Sequence, residues 1–199
     1  MKIKRIVTLA LAAAMASTAA LSASAATLTN ENPGGQTEVT AYINSDPGNV
    51  SYIITIPDLI DFGLLTPPEP GTPDVKEKQY SVIATNISGL DVDKQKVSVY
   101  VKDQKASLNG DQQFYIANKN DDTKKFEYKV YANTTDVRSL SDATMTDIRG
   151  YYLTSFFQTN DSITGKITLD QDLLNAYPIS EIAGVYSGYM VFFSSVEPK

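Results

Sequence analysis

The side chains of this chain that could do chemistry are carboxylates and tyrosines, because the sequence contains no histidine and no cysteine. The absence of histidine excludes Ser–His–Asp catalysis, histidine-ligated zinc and the usual general base near neutral pH. The absence of cysteine excludes thiol catalysis and iron–sulfur clusters. A pair of carboxylates could still supply acid–base catalysis. The acidic candidates are Asp58, Asp61, Glu69, Asp170, Asp172 and Glu181.

Acidic side chains usually solvate loops, and nothing in the sequence pairs two of these candidates. A glycine-rich phosphate loop is also missing, since Gly34-Gly35 stands alone without a following helix. We therefore predict a protein that is not an enzyme and that binds no cofactor.

One short motif has the spacing of calcium ligands. Asn118, Asn120 and Asp122 match the first ligand positions of an EF-hand loop, but the glycine at its sixth position and the glutamate at its twelfth are absent. Lys124 and Lys125 would oppose a bound cation. A hairpin turn rich in Asn and Asp explains the motif better, so no metal site is predicted.

The aromatic composition is unusual, with 12 tyrosines, 7 phenylalanines and no tryptophan. Tyr42, Tyr100 and Tyr131 fall on the polar faces of predicted strands. Exposed tyrosines could stack on sugar rings or contact a protein, whereas tyrosine is also simply a good residue for a half-exposed strand. These three residues are the predicted surface contacts.

Strands must position these side chains, because alternation of apolar and polar residues runs along most of the chain. The clearest alternation covers residues 39–43, 52–56, 97–101, 126–130 and 163–169. Further strands are predicted at 79–85, 113–118, 152–157 and 185–194. The pattern predicts an all-β fold, an antiparallel immunoglobulin-like β-sandwich of about nine or ten strands.

Minor helical turns and one long loop complete the expected fold. A helical turn is predicted within 136–148, capped by Ser141 or Asp142, and another within 170–176, stopped by Tyr177-Pro178. Residues 66–74 hold four prolines and are expected to form an extended, solvated loop.

The N-terminus has the three parts of a secretory signal peptide. A basic segment at residues 2–5 precedes an uncharged run of apolar and small residues, and residues 23–25 supply the small side chains that signal peptidase recognises. Cleavage is expected after Ala25, or alternatively after Ala26. The predicted organisation is a signal peptide over 1–25, a flexible arm over 26–36 and a single β-sandwich domain over 37–199.

Charge limits the partners of the exported chain. Three of the 17 basic residues and none of the 23 acidic residues precede residue 26, so 14 basic and 23 acidic residues remain, a net charge of −9. Such a surface repels nucleic acid and anionic lipid. No second apolar stretch is long enough to span a bilayer, so no membrane insertion of the mature chain is expected. We expect a secreted protein. If it acts at a surface, we expect it to be held non-covalently at the cell wall.

Strand donation between subunits is a further expectation. The arm over 27–36 has few apolar residues, only Leu28 clearly, so it makes a weak donor strand. Residues 37–43 make a better one, or they are simply the first strand of the domain.

Two stretches resemble small secreted surface proteins of Gram-positive bacteria. Residues 52–63, YIITIPDLIDFG, resemble an opening of the form Y-x-V-T-I-P-x-x-I-x-F-G, and residues 183–192, AGVYSGYMVF, resemble a closing strand of the form A-G-T-Y-x-G-x-V-x-F. WxL-type wall-associated proteins and adhesin-like immunoglobulin-fold domains share such elements. The resemblance implies a β-sandwich on or near a bacterial surface, without catalysis. Peptidoglycan binding of the WxL kind is not carried over, because the chain has no tryptophan.

The sequence thus predicts a non-enzymatic secreted or surface-associated structural or adhesive protein, acting as a subunit of a surface assembly. The alternative is a carbohydrate-binding module that uses exposed tyrosines. The expected partner is a protein or glycan at the cell surface, and a homo-oligomer is one form of such an assembly.

Overall fold

The computed structural model describes residues 50–199, all of which belong to one compact unit. This part of the chain contains nine β-strands in two sheets and three short helical segments. The strands are β1 (Ser51–Thr55), β2 (Val75–Ser88), β3 (Gln95–Asp103), β4 (Phe114–Asn118), β5 (Asp121–Tyr131), β6 (Tyr151–Phe156), β7 (Ser162–Asp170), β8 (Tyr186–Ser187) and β9 (Met190–Pro198). The predicted all-β, sandwich-like fold is confirmed.

The two sheets differ in size, and all of their described strand pairs are antiparallel. The larger sheet has six strands in the order β1-β2-β7-β5-β4-β8. The smaller sheet has three strands in the order β6-β3-β9. One end of the larger sheet must therefore be covered by something other than the smaller sheet.

Alternation along the strands separates an inner face from an outer face on each sheet. On β3 the predicted apolar residues Val97, Val99 and Val101 are all buried, and on β5 Tyr128 and Val130 are buried as well. The main core between the sheets also contains Tyr80, Val82, Phe114, Leu153, Phe156, Ile167 and Leu169. Each large apolar side chain buried here stabilises the fold by roughly 1.5–3 kcal/mol, which allows the sandwich to stand without disulfides.

The prediction of a single closing strand over residues 185–194 is wrong. It is divided between β8, which pairs with β4 in the larger sheet, and β9, which pairs with β3 in the smaller one. The chain crosses from one sheet to the other at Gly188-Tyr189. Glycine is needed there because a Cβ atom at residue 188 would collide with the carbonyl oxygen of Tyr115.

The helical turn predicted within 136–148 is a short 3-10 segment, Leu140–Asp142. Its N-cap is Ser139, whose backbone N–H donates to the carboxylate of Asp142 at 2.8 Å. The prediction that Ser141 or Asp142 caps this turn is therefore wrong, since both lie inside it. The cap lies one turn earlier because Asp142 reaches back to the residue that precedes the helical segment.

The second predicted turn is a 3-10 segment, Gln171–Ala176, and it ends before Tyr177-Pro178 as expected. The side chain of Asp170 caps it by accepting from the Asp172 N–H at 3.0 Å. A short helix that was not predicted, α1 (Ile179–Ile182), follows directly after the proline. Within residues 50–199 no helix is long and apolar enough to cross a membrane.

The connection from β1 to β2 is long and irregular. Its first part lies against the main core through Ile60, Phe62 and Leu65. Gly63 turns the chain at φ +69°, and its N–H donates to the carboxylate of Asp61 at 2.7 Å. Residues 66–74 contain neither helix nor strand, in agreement with the predicted proline-rich loop.

Several predictions lie outside the described residues. They are the signal peptide with Ala25 and Ala26, the arm over 26–36, the strand at 39–43 and the contact residue Tyr42. The single domain over 37–199 likewise stays a prediction.

Candidate functional site

Tyr100 lies on the outer face of β3, where two neighbouring side chains cover it. The guanidinium carbon of Arg149 lies 4.0 Å from the centroid of the Tyr100 ring. The ring of Tyr152 meets it edge-on, with the two centroids 5.8 Å apart. Only 9% of Tyr100 is exposed. One ring face of this predicted contact residue is thus occupied by a cation in favourable cation–π geometry.

A network of charges fixes Arg149 over this ring. Its Nε and Nη2 atoms donate to the two oxygens of Asp147 at 3.0 and 2.6 Å. Its Nη1 atom donates to Oε1 of Glu197 at 2.5 Å. The hydroxyl of Tyr100 lies 3.0 and 3.1 Å from the two oxygens of the same glutamate. Paired hydrogen bonds of this kind fix the orientation of a guanidinium as well as its position.

The network keeps its carboxylates ionised. Hydrogen bonds from Arg149 lower the pKa of Asp147 to about 2. Burial opposes ionisation of Glu197, but hydrogen bonds from four side chains outweigh it and lower the pKa of this group. Burial and the neighbouring Glu197 raise the pKa of Tyr100. The lowered pKa values favour the ionised carboxylates, which are the forms that pair with the Arg149 guanidinium.

Two exposed aromatic rings flank Tyr100 across the smaller sheet. Tyr152 on β6 and Phe193 on β9 are its cross-strand partners, and they are 51% and 38% exposed. The Nζ atom of Lys96 lies 5.9 Å from the Tyr152 ring centroid, and that of Lys102 lies 5.5 Å from the Phe193 ring centroid. The aromatic face is defined here as Tyr100, Tyr152 and Phe193. Exposed rings bordered by cations suit contact with a protein or a sugar.

Tyr131 lies on the outer face of the larger sheet. It pairs with Lys166 of β7, whose Nζ atom is 5.1 Å from its ring centroid. The structure therefore does not bring Tyr131 and Tyr100 together, because they lie on the outer faces of different sheets. The contact role of the predicted tyrosines stays a prediction.

The Asn118-x-Asn120-x-Asp122 motif forms the turn between β4 and β5. The side chain of Asn118 accepts from the Asn120 N–H at 2.9 Å, and Asp122 pairs with Lys105 at 3.2 Å. Among residues 50–199 no three Asp or Glu side chains are grouped so that they could hold a metal ion. The predicted hairpin turn accounts for the Asn and Asp residues.

The candidate catalytic carboxylates that the structure shows in hydrogen bonds accept them from residues two or three positions further along the chain. Asp61 accepts from Gly63, as described above, and Asp170 accepts from the Asp172 N–H. Asp172 in turn accepts from the side chain of Asn175 at 2.9 Å. These contacts stabilise turns, which is a common role of acidic side chains.

β9 is an edge strand of the smaller sheet, and within residues 50–199 it pairs only with β3. At the two ends of this pairing, the Lys199 N–H donates to the Lys94 oxygen at 2.9 Å and the Gln104 N–H donates to the Tyr189 oxygen at 3.0 Å. Bonded and non-bonded pairs alternate in an antiparallel ladder, so the odd-numbered residues of β9 bond to β3. The N–H groups that face the open edge are those of Met190, Phe192, Ser194 and Val196.

An apolar groove of about 580 Å³ lies between residues 59–67 and residues 179–186. Its floor is a small cluster of buried residues, Phe126, Leu174 and Ile182. Its rim carries the exposed side chains of Leu59, Leu64, Ile179 and Val185. Exposed apolar residues gathered in one place indicate an interaction surface.

The sequence reasoning missed Tyr152, Phe193 and Arg149. The first two could have been found, because strand alternation alone places them on the outer face of the smaller sheet. No local sequence pattern points to Arg149, because it lies in the loop before β6 and not on a strand. It reaches Tyr100 because Gly150, at φ +121°, lets this loop pass against the carbonyl of Val101.

No family model and no curated protein matches the chain. A solved chaperone–tip adhesin complex, described as vital for synergistic activation of CFA/I fimbriae biogenesis, is 16% identical with a TM-score of 0.40, over 74% of this chain and 42% of that chain. CfaE, the adhesive subunit of CFA/I fimbria of enterotoxigenic Escherichia coli, is 15% identical with a TM-score of 0.34, over 63% of this chain and 36% of that chain. The chain spans less than half of either matched chain.

Proposed function

We propose that this chain is a non-enzymatic, extracellular structural or adhesive protein that works as a subunit of a surface assembly. The observation that carries the proposal is the outer edge of β9, which pairs with no strand within residues 50–199 and presents a row of backbone donors along a nine-residue strand. Such an edge is a template on which another strand can form hydrogen bonds.

The edge lacks the usual protection against strand addition. Proteins commonly block an open edge with charges, with proline or with a bulge. From Met190 to Val196 the strand MVFFSSV contains no charged residue and no proline, and its pairing with β3 contains no bulge. Glu197 and Pro198 stand only at its end. Within residues 50–199, nothing in the middle of β9 therefore opposes a partner strand.

The apolar groove supports the same proposal. Its exposed leucine, isoleucine and valine side chains would be covered on association with a second subunit. A net charge of −9 on each exported chain opposes association through the charged surface, so apolar contacts and strand pairing are the favourable ones. Residues 37–43 of a second copy, with alternating Val39, Ala41 and Ile43, are the proposed added strand.

Export and wall association belong to the same proposal. The signal peptide predicted over residues 1–25 takes the chain out of the cell, and the resemblance of residues 52–63 and 183–192 points to a Gram-positive surface protein. The chain would be held at that surface non-covalently, through its edges and faces.

The proposal is tested by blocking the edge with a proline. Ser194→Pro removes an N–H that faces away from β3, so the bonds between β9 and β3 remain. Ser194→Ala is the matched control, because both variants lose the contact of the Ser194 hydroxyl with Tyr52 at 3.4 Å. Light scattering after size exclusion and electron microscopy should show assemblies for the wild type and for Ser194→Ala, and monomers for Ser194→Pro. A wild-type chain that is monomeric at every concentration and binds neither cells nor matrix would contradict the proposal.

A further inference from the structure

We infer that a single subunit of this protein binds an uncharged pyranose sugar in a pocket at one end of the sandwich. The pocket lies where the end of β3, the strand β4 and the crossing from β8 to β9 meet, and its volume is about 280 Å³. This volume lies just below the roughly 300–1,000 Å³ of most small-molecule sites, which suits a small ligand such as a single sugar ring. The inference concerns one chain alone and does not depend on assembly.

The walls of the pocket are held in place by backbone contacts. Asp103 is buried, and its two carboxylate oxygens accept from the Lys105 N–H at 2.8 Å and the Tyr115 N–H at 3.1 Å. The Gln104 N–H holds the Tyr189 carbonyl at 3.0 Å. Because residue 188 is glycine, the crossing lies directly against Tyr115. The site is thus formed before a ligand arrives, which lowers the entropic cost of binding.

Two tyrosines supply the aromatic surface. Tyr189 has its backbone fixed, yet its side chain is 63% exposed. The ring of Tyr115 lies below the Nζ atom of Lys125, 3.7 Å from its centroid. Burial and the nearby Asp111 raise the pKa of Tyr115 to about 12, so its hydroxyl keeps its proton. Aromatic rings with a polar edge match a pyranose, which presents C–H groups on its face and hydroxyls around its rim.

The polar rim is balanced in charge. Lys125 pairs with Asp111 at 3.0 Å, and Lys105 pairs with Asp122 at 3.2 Å. Three lysines and three aspartates line the pocket, whereas the exported chain as a whole carries −9. A hydroxyl both donates and accepts hydrogen bonds, so sugar hydroxyls can bond to these carboxylates and ammonium groups while the ion pairs persist. Two of the three lysines are already paired with aspartates, so an anionic ligand would have to compete with a carboxylate at either of them.

One polar atom at the pocket wall is unsatisfied. Gln113 lines the pocket, and its buried Oε1 atom has no hydrogen-bond partner within residues 50–199. Buried acceptors are seldom left without a donor. The Nε2 atom of the same amide donates to the Ser141 carbonyl at 3.4 Å, so Oε1 is the atom left for a ligand. A hydroxyl of a bound sugar is a donor of the required kind.

The test is saturation-transfer NMR on protein expressed from the full sequence and purified after export. The probes are the methyl glycosides of glucose, galactose, mannose and N-acetylglucosamine, with N-acetylneuraminic acid as the anionic comparison. At least one neutral glycoside should receive saturation, and Tyr189→Ala should weaken its binding by at least about fivefold. Tyr152→Ala is the control, because it removes another exposed tyrosine, 51% exposed, from the aromatic face and should change binding by less than about twofold.

Several results would overturn the inference. They are binding of no neutral glycoside, preference for the anionic sugar, or unchanged binding by Tyr189→Ala. Loss of binding in Tyr152→Ala alone would place the sugar on the aromatic face instead. Repeating the titration with Ser194→Pro separates this inference from assembly, since a monomer should bind the glycoside as the wild type does.

Discussion

The two hydrophobic clusters of this protein differ in what covers them. The main core lies between both sheets, where Val82, Val97 and Phe114 are completely buried. Within residues 50–199, the second cluster, around Phe126, packs against short helical segments and the β1–β2 connection rather than against the smaller sheet, and it borders the apolar groove. The difference follows from the numbers of strands, because three strands cannot cover six. Burial is therefore most complete between the two sheets, whereas the groove beside the second cluster leaves apolar side chains exposed.

The largest test of this comparison is the truncation of one phenylalanine in each cluster. Phe114→Ala should cost about 3–5 kcal/mol of the free energy of unfolding, because it leaves a cavity between two sheets that cannot close. Phe126→Ala should cost less, about 2–3 kcal/mol, because water or the loop beside the groove can fill the space. Urea unfolding followed by circular dichroism measures both values. If Phe126→Ala lowers the free energy of unfolding as much as Phe114→Ala or more, the second cluster is not the less rigid of the two.

The sequence predicted the main core far better than the groove. Strand alternation is a local property, so the inward residues of β3 and β5 could be read directly from their spacing. The groove depends on contacts between residues far apart in the chain, such as Leu65 with the cluster around Phe126, and no local pattern encodes them. The same limit applies to Gly188, since its role requires knowing that the carbonyl of Tyr115 lies beside it.

A second test compares two glycines. Gly165 of β7 lies opposite Tyr80, and a Cβ atom there would strike both the Tyr80 ring and the carbonyl of Tyr131. Gly165→Ala should therefore cost about 1–3 kcal/mol through overpacking. Gly63, beside the groove, has open space around it and only its φ of +69° to oppose a side chain, so Gly63→Ala should cost about 1 kcal/mol. Thermal unfolding of the two variants shows which substitution destabilises the protein more. A larger loss of stability in Gly63→Ala than in Gly165→Ala would contradict the prediction.

A third test measures how much the ion pair between Asp147 and Arg149 contributes to the free energy of unfolding. The pKa of Asp147 is about 2 in the folded chain, below its ordinary value of 3.8. Ionised Asp147 therefore stabilises the fold above about pH 4, and this contribution is lost as the pH falls toward 2. The pair is partly exposed, so the loss should be about 1 kcal/mol or less and should shrink in high salt.

The measurement for this test is the free energy of unfolding between pH 5 and pH 2. Arg149→Met should flatten its pH dependence, because the pKa of Asp147 then returns toward the ordinary value. Lys76→Met removes the same charge from the larger sheet and should leave the slope as it is in the wild type. An unchanged slope in Arg149→Met would mean that the acid sensitivity arises elsewhere.

The smallest effect on stability is expected at the rim of the groove. Leu64 is 83% exposed, so Leu64→Ser should change the free energy of unfolding by less than about 0.5 kcal/mol. It should nevertheless reduce the binding of a fluorescent apolar dye and weaken self-association, since the rim would lose one of its exposed apolar side chains. Val137→Ser, at a residue that is 90% exposed and does not line the groove, is the matched control. If both variants behave alike, the groove is not a distinct contact surface, and the open edge of β9 alone would have to join the subunits.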